Sequence, residues 1–164
     1  MEQNNSRLTG GCQCGAVRFR AGRLGRPTIC HCRMCQKAFG AFFGPLVTAH
    51  GLSWTRGSPA HFASSNKVRR GFCHKCGTPL TYDWGGEVEI AIGTLDNPEL
   101  AAPVLQVNPA DRLSYVNKLH DLPVREPADN LKVAEFMAGI LSHQHPDHDT
   151  EQWPPAGRQP DDDE

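Results

Sequence analysis

Seven cysteines in three close clusters constrain this chain more than any other feature of its sequence. They form two pairs and one triplet, at Cys12 and Cys14, at Cys73 and Cys76, and at Cys30, Cys32 and Cys35. An odd number of cysteines fits a disulfide framework poorly, and closely spaced thiols in a reducing compartment are typical of metal ligands. We therefore predict that the chain folds around thiolate-bound metal ions.

The two cysteine pairs predict a structural zinc site. In a tetrahedral zinc site the Zn–S distance of about 2.3 Å places the sulfurs roughly 3.7 Å apart. A C-x-C pair reaches this spacing from an extended strand, where residues i and i+2 point to the same side, and a C-x-x-C pair reaches it from a tight turn. Each pair supplies half of the site, so the predicted ligands are Cys12, Cys14, Cys73 and Cys76.

The triplet predicts a second zinc site with a different character. Three protein ligands with an open fourth position are typical of a catalytic zinc, whereas four protein ligands are typical of a structural one. Four plus three ligands use every cysteine, so we predict two zinc ions per chain, the catalytic one on Cys30, Cys32 and Cys35. Two alternatives remain open: no second metal binds, or a histidine closes the site, with His31, His50, His61 and His74 as candidates.

The charge of a three-thiolate zinc favours thiol chemistry over hydrolysis. Such a centre is already anionic, so it is a weak Lewis acid towards carbonyls and water. A soft ligand suits it better, namely a thiol that arrives from outside and loses its proton at the metal. The sequence therefore favours a site that handles a thiol.

Composition and charge exclude several classes of partner. Seventeen basic and eighteen acidic side chains give a net charge of −1, which provides no basic field for nucleic acid or an anionic membrane surface. No apolar run approaches the roughly 20 residues of a spanning helix, and the start of the chain has no apolar stretch like that of a secretory signal. We expect a cytoplasmic protein that binds neither nucleic acid nor membrane.

The distribution of turn residues and apolar residues predicts short strands. The 16 glycines and 13 prolines indicate many turns. Alternating or apolar segments at 16–20, 88–92 and 104–107 predict strands, and segment 41–49 predicts a bulged or broken strand because it contains a glycine and a proline. A single helical turn is predicted at 33–38. The predicted fold class is mainly β, with small zinc-stapled antiparallel sheets of a β-tent or zinc-ribbon-like kind and one C-terminal helix.

The C-terminal helix is predicted over residues 129–142. Pro127 lies near its start, and Asp129 or Asn130 is suited to cap it. The apolar stripe predicts ordinary core packing or a contact in a homodimer; its members are Leu131, Ala134, Met137, Ala138 and Leu141.

The predicted organisation of the chain has four parts. Residues 1–8 form a flexible N-terminus, and residues 9–127 form the zinc-binding β domain. Residues 128–149 form the C-terminal helix and a histidine-rich end. Residues 150–164 are Pro-rich and acidic with nothing to bury, so they predict a disordered tail.

A histidine-rich motif near the end resembles a hydrolase metal site but lacks its context. Residues His143, His145, Asp147 and His148 fit the H-x-H-x-D-H pattern of metallo-β-lactamase-type hydrolases. That pattern needs further ligands and a large α/β sandwich downstream, and only sixteen residues follow it here. We interpret the motif as a chance match or a weak surface metal binder.

Three segments together resemble the glutathione-dependent formaldehyde-activating enzyme family. They are GGCQCGAVRF, CHCRMCQKAFGAFFG and RGFCHKCGTPLTYD, in this order, and GTLDNPEL and DLPV further on are also similar. The resemblance covers about residues 10–125. In this family an all-β domain holds two zinc ions, and the family's structural and catalytic ligands match the same two sets of cysteines.

The resemblance implies an activity and a partner. The activity is the condensation of formaldehyde with glutathione to S-hydroxymethylglutathione, formally a carbon–sulfur lyase running in reverse. The implied partner is glutathione or a similar small thiol, and a binding site for the carboxylates of glutathione needs positively charged side chains. The sequence departs from the family pattern at Tyr115, where the family has tryptophan. Candidate cations that lie near the cysteine clusters in sequence are Arg33, Lys37, Arg69 and Arg70.

A rival interpretation belongs to another functional class. A zinc-stabilised binding module with a closed second site would catalyse nothing and would use the late amphipathic helix as a partner surface. The two interpretations differ at one place, the fourth ligand of the middle zinc.

Overall fold

The structure, a computed structural model, describes residues 8–126, 128 and 130–154. The strands in this part of the chain are β1 (Leu8–Gly11), β2 (Arg18–Ala21), β3 (Arg23–Leu24), β4 (Thr28–Cys30), β5 (Gly44–His50), β6 (Ser53–Arg56), β7 (Ala60–Ala63), β8 (Arg69–Phe72), β9 (Pro79–Asp83), β10 (Val88–Ala91) and β11 (Leu105–Val107). The α-helices are α1 (Arg33–Phe39) and α2 (Leu131–Ala138). Short 3-10 helices lie at Ile92–Thr94, Pro98–Ala101, Pro109–Asp111 and Val116–Asp121.

Two sheets organise these strands. A three-stranded sheet has the order β1-β2-β6, and a larger sheet has the order β11-β4-β5-β10-β9-β8-β7, with β3 beside β5. All described pairs are antiparallel except β11 with β4. The predicted fold class, mainly β with antiparallel sheets and a C-terminal helix, is confirmed.

The main hydrophobic core lies between the inner faces of the sheets. Phe19 of β2 and Ile90 of β10 are both fully buried, as the alternation of their strands predicts. Trp54 of β6 packs against the Phe19 ring edge to face, with the ring centroids 6.0 Å apart. The other buried members of this core are Ala21, Val47, Ala49, Ile92, Leu95 and Ala101.

The prediction of a bulged or broken strand over 41–49 is wrong. Strand β5 begins at Gly44 and runs uninterrupted to His50, pairing with β4, β3 and β10. Pro45 is tolerated because it lies opposite Ile29 of β4, just before the first residue that pairs with β10. Its missing N–H therefore interrupts no bond to β10.

Helix α2 is shorter than the predicted 129–142 and lies on the surface. It spans Leu131–Ala138, and the Asn130 side chain caps it by accepting a hydrogen bond from the Val133 N–H at 3.2 Å. Pro127 and Asp129 lie outside the described residues. Of the two alternatives for the apolar stripe, core packing is wrong, because Leu131 and Leu141 are 69% and 86% exposed and the helix has no buried residue. The contact in a homodimer stays a prediction. No helix in the described part of the chain is long and apolar enough to cross a membrane.

Residues 145–153, which we call the strap, run back over the three-stranded sheet and the loop that follows β1. Trp153 packs against the second hydrophobic cluster, whose buried members are Cys12, Ala16, Val17, Cys73 and Leu80. The expectation that residues 150–164 have nothing to bury therefore does not hold for Trp153, which is partly buried. Residues 1–7 and 155–164 lie outside the described residues, and the domain bounds stay predictions.

Candidate metal centres

Two tight turns present the cysteine pairs in similar ways. The N–H of Gly15 donates to the Cys12 carbonyl at 3.0 Å, and the N–H of Gly77 donates to the Cys73 carbonyl at 2.8 Å. Both glycines have positive φ angles, +82° and +75°, which side-chain-bearing residues rarely adopt. Each glycine thus lets the chain turn back so that both sulfurs of its pair face the same side.

The structure brings the four predicted sulfurs of these turns together. All four lie within 4.8 Å of one another, with 3.5 Å between Cys12 and Cys14 and 3.9 Å between Cys14 and Cys73. These two separations bracket the roughly 3.7 Å expected around a tetrahedral zinc ion. We call this group, completed by Cys76, the four-cysteine centre; its donor set and spacing fit zinc.

Thr78 joins the two halves of the four-cysteine centre. Its Oγ1 accepts a hydrogen bond from the Gln13 N–H at 3.0 Å, and it lies 3.1 Å from the sulfur of Cys76. The hydroxyl hydrogen is therefore available to the Cys76 sulfur. The N–H of Val17 donates to the sulfur of Cys12 at 3.2 Å. Hydrogen bonds of this kind orient metal ligands and stabilise their thiolate form.

Burial alone does not favour four thiolates at this place. Burial raises the pKa of Cys12 and of Cys73 to about 11 each. Burial acts in the same direction on Cys76, but hydrogen bonds led by Thr78 outweigh it and lower the pKa of Cys76 to about 6. A bound cation would therefore be needed to hold all four sulfurs as thiolates near neutral pH.

The strap covers the first cysteine turn. The N–H of His145 donates to the Gln13 carbonyl at 2.7 Å, and the indole N–H of Trp153 donates to the Cys14 carbonyl at 2.7 Å. The His145 ring lies directly on Gly15, where a β-carbon would clash with it. One side of the four-cysteine centre, at its first turn, is therefore covered by a segment more than 65 residues beyond the last ligand in sequence.

Two arginines anchor the strap. Arg18 lies between Asp96 and Asp149, with its side-chain nitrogens 2.7 and 2.9 Å from their carboxylate oxygens. Arg56 donates to the Thr150 carbonyl and hydroxyl. These charge-assisted hydrogen bonds join the strap to β2 and β6.

The histidine-rich motif does not assemble into a metal site in the described residues. Metal-capable side chains cluster there only at the two sets of cysteines, and His143 and His148 join neither. The His145 side chain is instead 3% exposed and packs within the strap. The interpretation of a surface metal binder is thus not supported, and His145 has a packing role that the sequence did not indicate.

The triplet lies at the junction between β4 and α1. Cys30 ends the strand, Cys32 caps the helix, and Cys35 is in its first turn, with the three sulfurs within 4.8 Å of one another. The predicted helical turn at 33–38 is confirmed. A β-carbon at Gly44 would lie 2.9 Å from the Cys35 β-carbon, so only glycine lets β5 approach the helix this closely. We call this group the three-cysteine centre.

Two side chains donate hydrogen bonds to the three-cysteine centre from outside it. Arg70 Nη2 donates to the sulfur of Cys35 at 3.3 Å, and Asn108 Nδ2 donates to the sulfur of Cys30 at 3.3 Å. The Cys32 sulfur accepts the Cys35 N–H at 3.4 Å. Burial raises the pKa of Cys35 to about 12, although the Arg70 guanidinium acts in the opposite direction. Each of the three sulfurs thus has an N–H donor.

Arg70 is buried beside the three-cysteine centre and is not the exposed substrate-binding cation that the sequence suggested. It was a candidate cation for a substrate carboxylate, but its side chain is only 4% exposed and it contacts Cys35. Its Nε donates to Ser64 Oγ at 3.0 Å, and its guanidinium lies over the rings of Tyr82 and Phe39, 4.9 and 5.9 Å from their centroids. Arg33, Lys37 and Arg69 are exposed.

No described histidine closes the three-cysteine centre. His31 is fully buried, but its Nε2 lies 2.9 Å from Gln106 Oε1, which points it away from the sulfurs. His50 pairs with Glu87. In the described ranges no histidine, aspartate or glutamate ligand atom joins the three sulfurs, and this also holds for His61 and His74.

Sequence reasoning missed several residues around both centres. The Gln36 side chain donates to the carbonyls of His31 and Asp111, which fixes the cysteine loop, and it carries no motif that would reveal this. Asn108 has φ +52°, and the Asn-Pro dipeptide at this position is a turn signal that could have drawn attention to it. Trp153 was detectable only as a large apolar residue within a polar tail.

A family model and a solved structure are similar to this chain. A family model described as glutathione-dependent formaldehyde-activating enzyme matches residues 7–110, which contain all seven cysteines. A crystal structure of a Rhodobacter sphaeroides protein, a Northeast Structural Genomics target, is similar with 22% identity and a TM-score of 0.49, covering 61% of this chain and 100% of that chain. A search of curated proteins gave no match. The strap lies beyond the residues that the family model matches.

Proposed function

The chain belongs to the glutathione-dependent formaldehyde-activating enzyme family, and from this premise we propose that it is a zinc-dependent enzyme of the carbon–sulfur lyase type. It would bind a thiol, glutathione or a similar small one, at the three-cysteine centre. It would then add that thiol to formaldehyde or a related small electrophile, or catalyse the reverse reaction. The four-cysteine centre would hold a structural zinc ion.

The observation that carries this proposal is the missing fourth ligand of the three-cysteine centre. Three sulfurs converge, and in the described part of the chain no further cysteine, histidine or carboxylate joins them. Cys32 is partly exposed, as Cys14 and Cys76 of the four-cysteine centre also are, so the number of ligands and not their burial distinguishes the two centres. Three thiolates fit zinc in their donor type, and a zinc ion held by Cys30, Cys32 and Cys35 would supply a fourth position that activates a thiol.

The proposed reaction needs one proton removed and one returned. The thiol S–H bond breaks and its proton passes to a base in solution, while sulfur keeps the electron pair. That pair forms the new C–S bond with the carbonyl carbon, and the C=O π electrons move to oxygen, which takes a proton from water. In the net reaction a thiol and formaldehyde combine to give the S-hydroxymethyl adduct, a hemithioacetal. The protein contributes chiefly by holding the thiol in place.

A groove on the outer face of α1 supports a substrate with carboxylates. It has a volume of about 400 Å³, and one of its lining residues, Arg33, directly follows Cys32 in sequence, while no cysteine of the centre lines it. Two cations lie along it beside an apolar floor, which suits a thiol that carries negative charges on a peptide-like body. The lining residues are Arg33, Met34, Lys37, Ala38, Phe62 and Ser64. We assign Arg33 and Lys37 to the binding of the glutathione carboxylates.

The first test is the optical spectrum of the cobalt-substituted protein titrated with glutathione. We expect the thiolate-to-cobalt bands to shift on thiol binding in the wild type and to show no such response in Cys32→Ser.

The second test measures exchange between ¹³C-formaldehyde and S-hydroxymethylglutathione by NMR, and the rate of the uncatalysed reaction in buffer is the baseline. An exchange rate that is equal in buffer, wild type and Cys32→Ser contradicts the proposed activity. A spectrum that no thiol changes favours the binding module with a closed site.

A further inference from the structure

The guanidinium of Arg70 is buried without a carboxylate partner. Among the described residues no aspartate or glutamate forms an ion pair with it, and its Nη1 has no hydrogen-bond partner there. Arg18, which is 3% exposed and therefore equally buried, pairs with both Asp96 and Asp149. A buried charge is costly unless an opposite charge lies close to it. The negative charge that balances Arg70 must therefore come from another group, and the sulfur of Cys35 is 3.3 Å away.

The orientation of the Arg70 side chain is fixed by its surroundings. Ser64 holds Nε, and the rings of Tyr82 and Phe39 lie against the guanidinium. The fork therefore presents Nη2 to Cys35 without having to reorganise when the centre changes charge. A guanidinium also stays protonated at every pH at which the protein functions, so its charge is always present.

Charge balance indicates what this buried cation does. A zinc ion with three thiolates carries a formal charge of about −1, and a thiolate as fourth ligand would bring it to about −2. Arg70 returns the total to about −1, in a buried place where charges interact strongly. We propose that Arg70 is a positioning residue which, through Cys35, allows the three-cysteine centre to accept an anionic thiolate as its fourth ligand. This inference rests on the proposed function.

The binding step that Arg70 would favour is a deprotonation. The S–H bond of the incoming thiol breaks, the sulfur keeps the electron pair, and the proton passes to a base in solution. Only the deprotonated ligand brings negative charge to the centre. Arg70 should therefore matter for a thiol and hardly matter for a neutral ligand of similar affinity, a distinction that a purely structural role would not produce.

The experiment compares two ligands on the cobalt-substituted protein at fixed pH and ionic strength. Glutathione is the anionic probe and imidazole is the neutral one, and the cobalt spectrum reports the affinity for each. Arg70→Gln removes the charge but keeps an N–H donor, whereas Arg70→Lys keeps the charge but loses the planar fork. The matched controls are Arg20→Gln and Arg23→Gln, each of which removes one exposed positive charge.

We expect Arg70→Gln to weaken glutathione binding roughly 10- to 100-fold and imidazole binding less than about threefold. Arg70→Lys should lose less than about fivefold for glutathione, and both controls should match the wild type. If Arg70→Gln does not retain cobalt, Arg70→Lys decides instead. A loss of glutathione affinity below about fivefold supports the inference, and a larger loss of affinity that is equal for glutathione and imidazole overturns it.

Three other results overturn the inference. Glutathione affinity unchanged in Arg70→Gln shows that the charge has no role. An equal loss for glutathione and imidazole shows that Arg70 is merely structural. A wild-type spectrum that responds to neither ligand overturns the proposed function as well, so the two failures are distinguishable.

Discussion

The four-cysteine centre and the three-cysteine centre differ in how the rest of the chain surrounds them. The strap lies over the first, and Trp153 and His145 bond to the backbone of one of its turns. Around the second, Arg70 and Asn108 donate hydrogen bonds to sulfurs, and in the described part of the chain no fourth metal-capable side chain joins the three cysteines. Four ligands beneath a covering segment suit permanent retention of a metal, whereas three ligands suit exchange of a fourth one.

The two centres also differ in what they join. The four-cysteine centre links Cys14 to Cys73, 59 positions apart, and lies within the hydrophobic cluster of Val17 and Leu80. The three-cysteine centre occupies six consecutive residues at one strand–helix junction. Loss of the first centre therefore separates distant parts of the chain, whereas loss of the second leaves β4 and α1 packed on β5. Stability and activity should accordingly depend on different cysteines.

The largest expected effect comes from breaking each centre in turn. Cys73→Ser removes a fully buried ligand of the four-cysteine centre, and we expect the variant to be unfolded at 25 °C, because the free energy of structural zinc binding is folding free energy. Cys32→Ser should keep the fold and bind one metal equivalent fewer than the wild type. Circular dichroism melting and metal analysis measure both outcomes. A folded Cys73→Ser variant, or an unfolded Cys32→Ser variant, contradicts the division of roles.

A second, smaller effect tests the hydrogen bonds to the three-cysteine centre. Asn108→Asp places a carboxylate oxygen where Nδ2 now lies, 3.3 Å from the Cys30 sulfur. We expect it to weaken zinc binding there roughly 10- to 100-fold. Asn108→Gly keeps the positive φ of +52° but loses the donor, so its loss should be only a few-fold. Competition with a chromogenic chelator measures both affinities. Equal affinities in Asn108→Asp and wild type, or metal loss from both centres, would count against a local role for Asn108.

A third effect concerns the strap over the four-cysteine centre. Trp153→Ala removes the hydrogen bond to the Cys14 carbonyl and the packing on the cluster, and we expect it to lower the free energy of unfolding by about 1–2 kcal/mol. Metal release from this centre to a chelator should accelerate, while release from the three-cysteine centre stays unchanged. Trp153→Phe, which keeps an aromatic ring but no N–H, should lie between. Release rates unaffected by Trp153→Ala would show that the strap does not protect the metal.

The sequence predicted what depends on local spacing. The division of the cysteines into four and three followed from C-x-C and C-x-x-C geometry, because a tetrahedral ion accepts only a narrow range of sulfur separations. The strands around Phe19 and Ile90 followed from alternation, and both side chains are buried. The cysteine pattern also carried the family resemblance, which the family match to residues 7–110 confirms.

The sequence did not predict what depends on contacts between distant residues. Trp153 meets Cys14 across 139 positions, and Asp149 meets Arg18 across 131, so no local pattern records either contact. Arg69 and Arg70 are neighbouring residues of the same type, so the sequence alone does not separate their roles. Because side chains alternate between the two faces of β8, Arg69 is exposed and Arg70 is buried. Helix α2 has the apolar spacing of a core helix, yet Leu131 and Met137 of that stripe are 69% and 59% exposed. Periodicity predicts the element and not its neighbours.

The smallest expected effect sharpens the comparison through pH. Burial, together with the guanidiniums of Arg18 and Arg56, lowers the pKa of His145, although the Pro146 carbonyl and Asp96 act in the other direction. Arg56 Nη1 lies 3.3 Å from His145 Nε2, so this nitrogen accepts a hydrogen bond and the folded strap favours neutral imidazole. Between this lowered pKa and the ordinary value of about 6.5, the unfolded state binds more protons than the folded state. Stability therefore rises with pH in that window and falls on acidification.

His145→Gln isolates this contribution, because glutamine can accept from Arg56 and does not titrate. We expect the wild type to lose more stability than His145→Gln as the pH falls below about 6.5, and to release metal from the four-cysteine centre correspondingly faster. Acid effects on the cysteines themselves are common to both proteins and cancel in the difference. His148→Gln, which changes an exposed histidine of the same strap, should retain the wild-type slope. Identical slopes in wild type and His145→Gln would mean that the strap holds the four-cysteine centre by packing alone, without any dependence on the charge of His145.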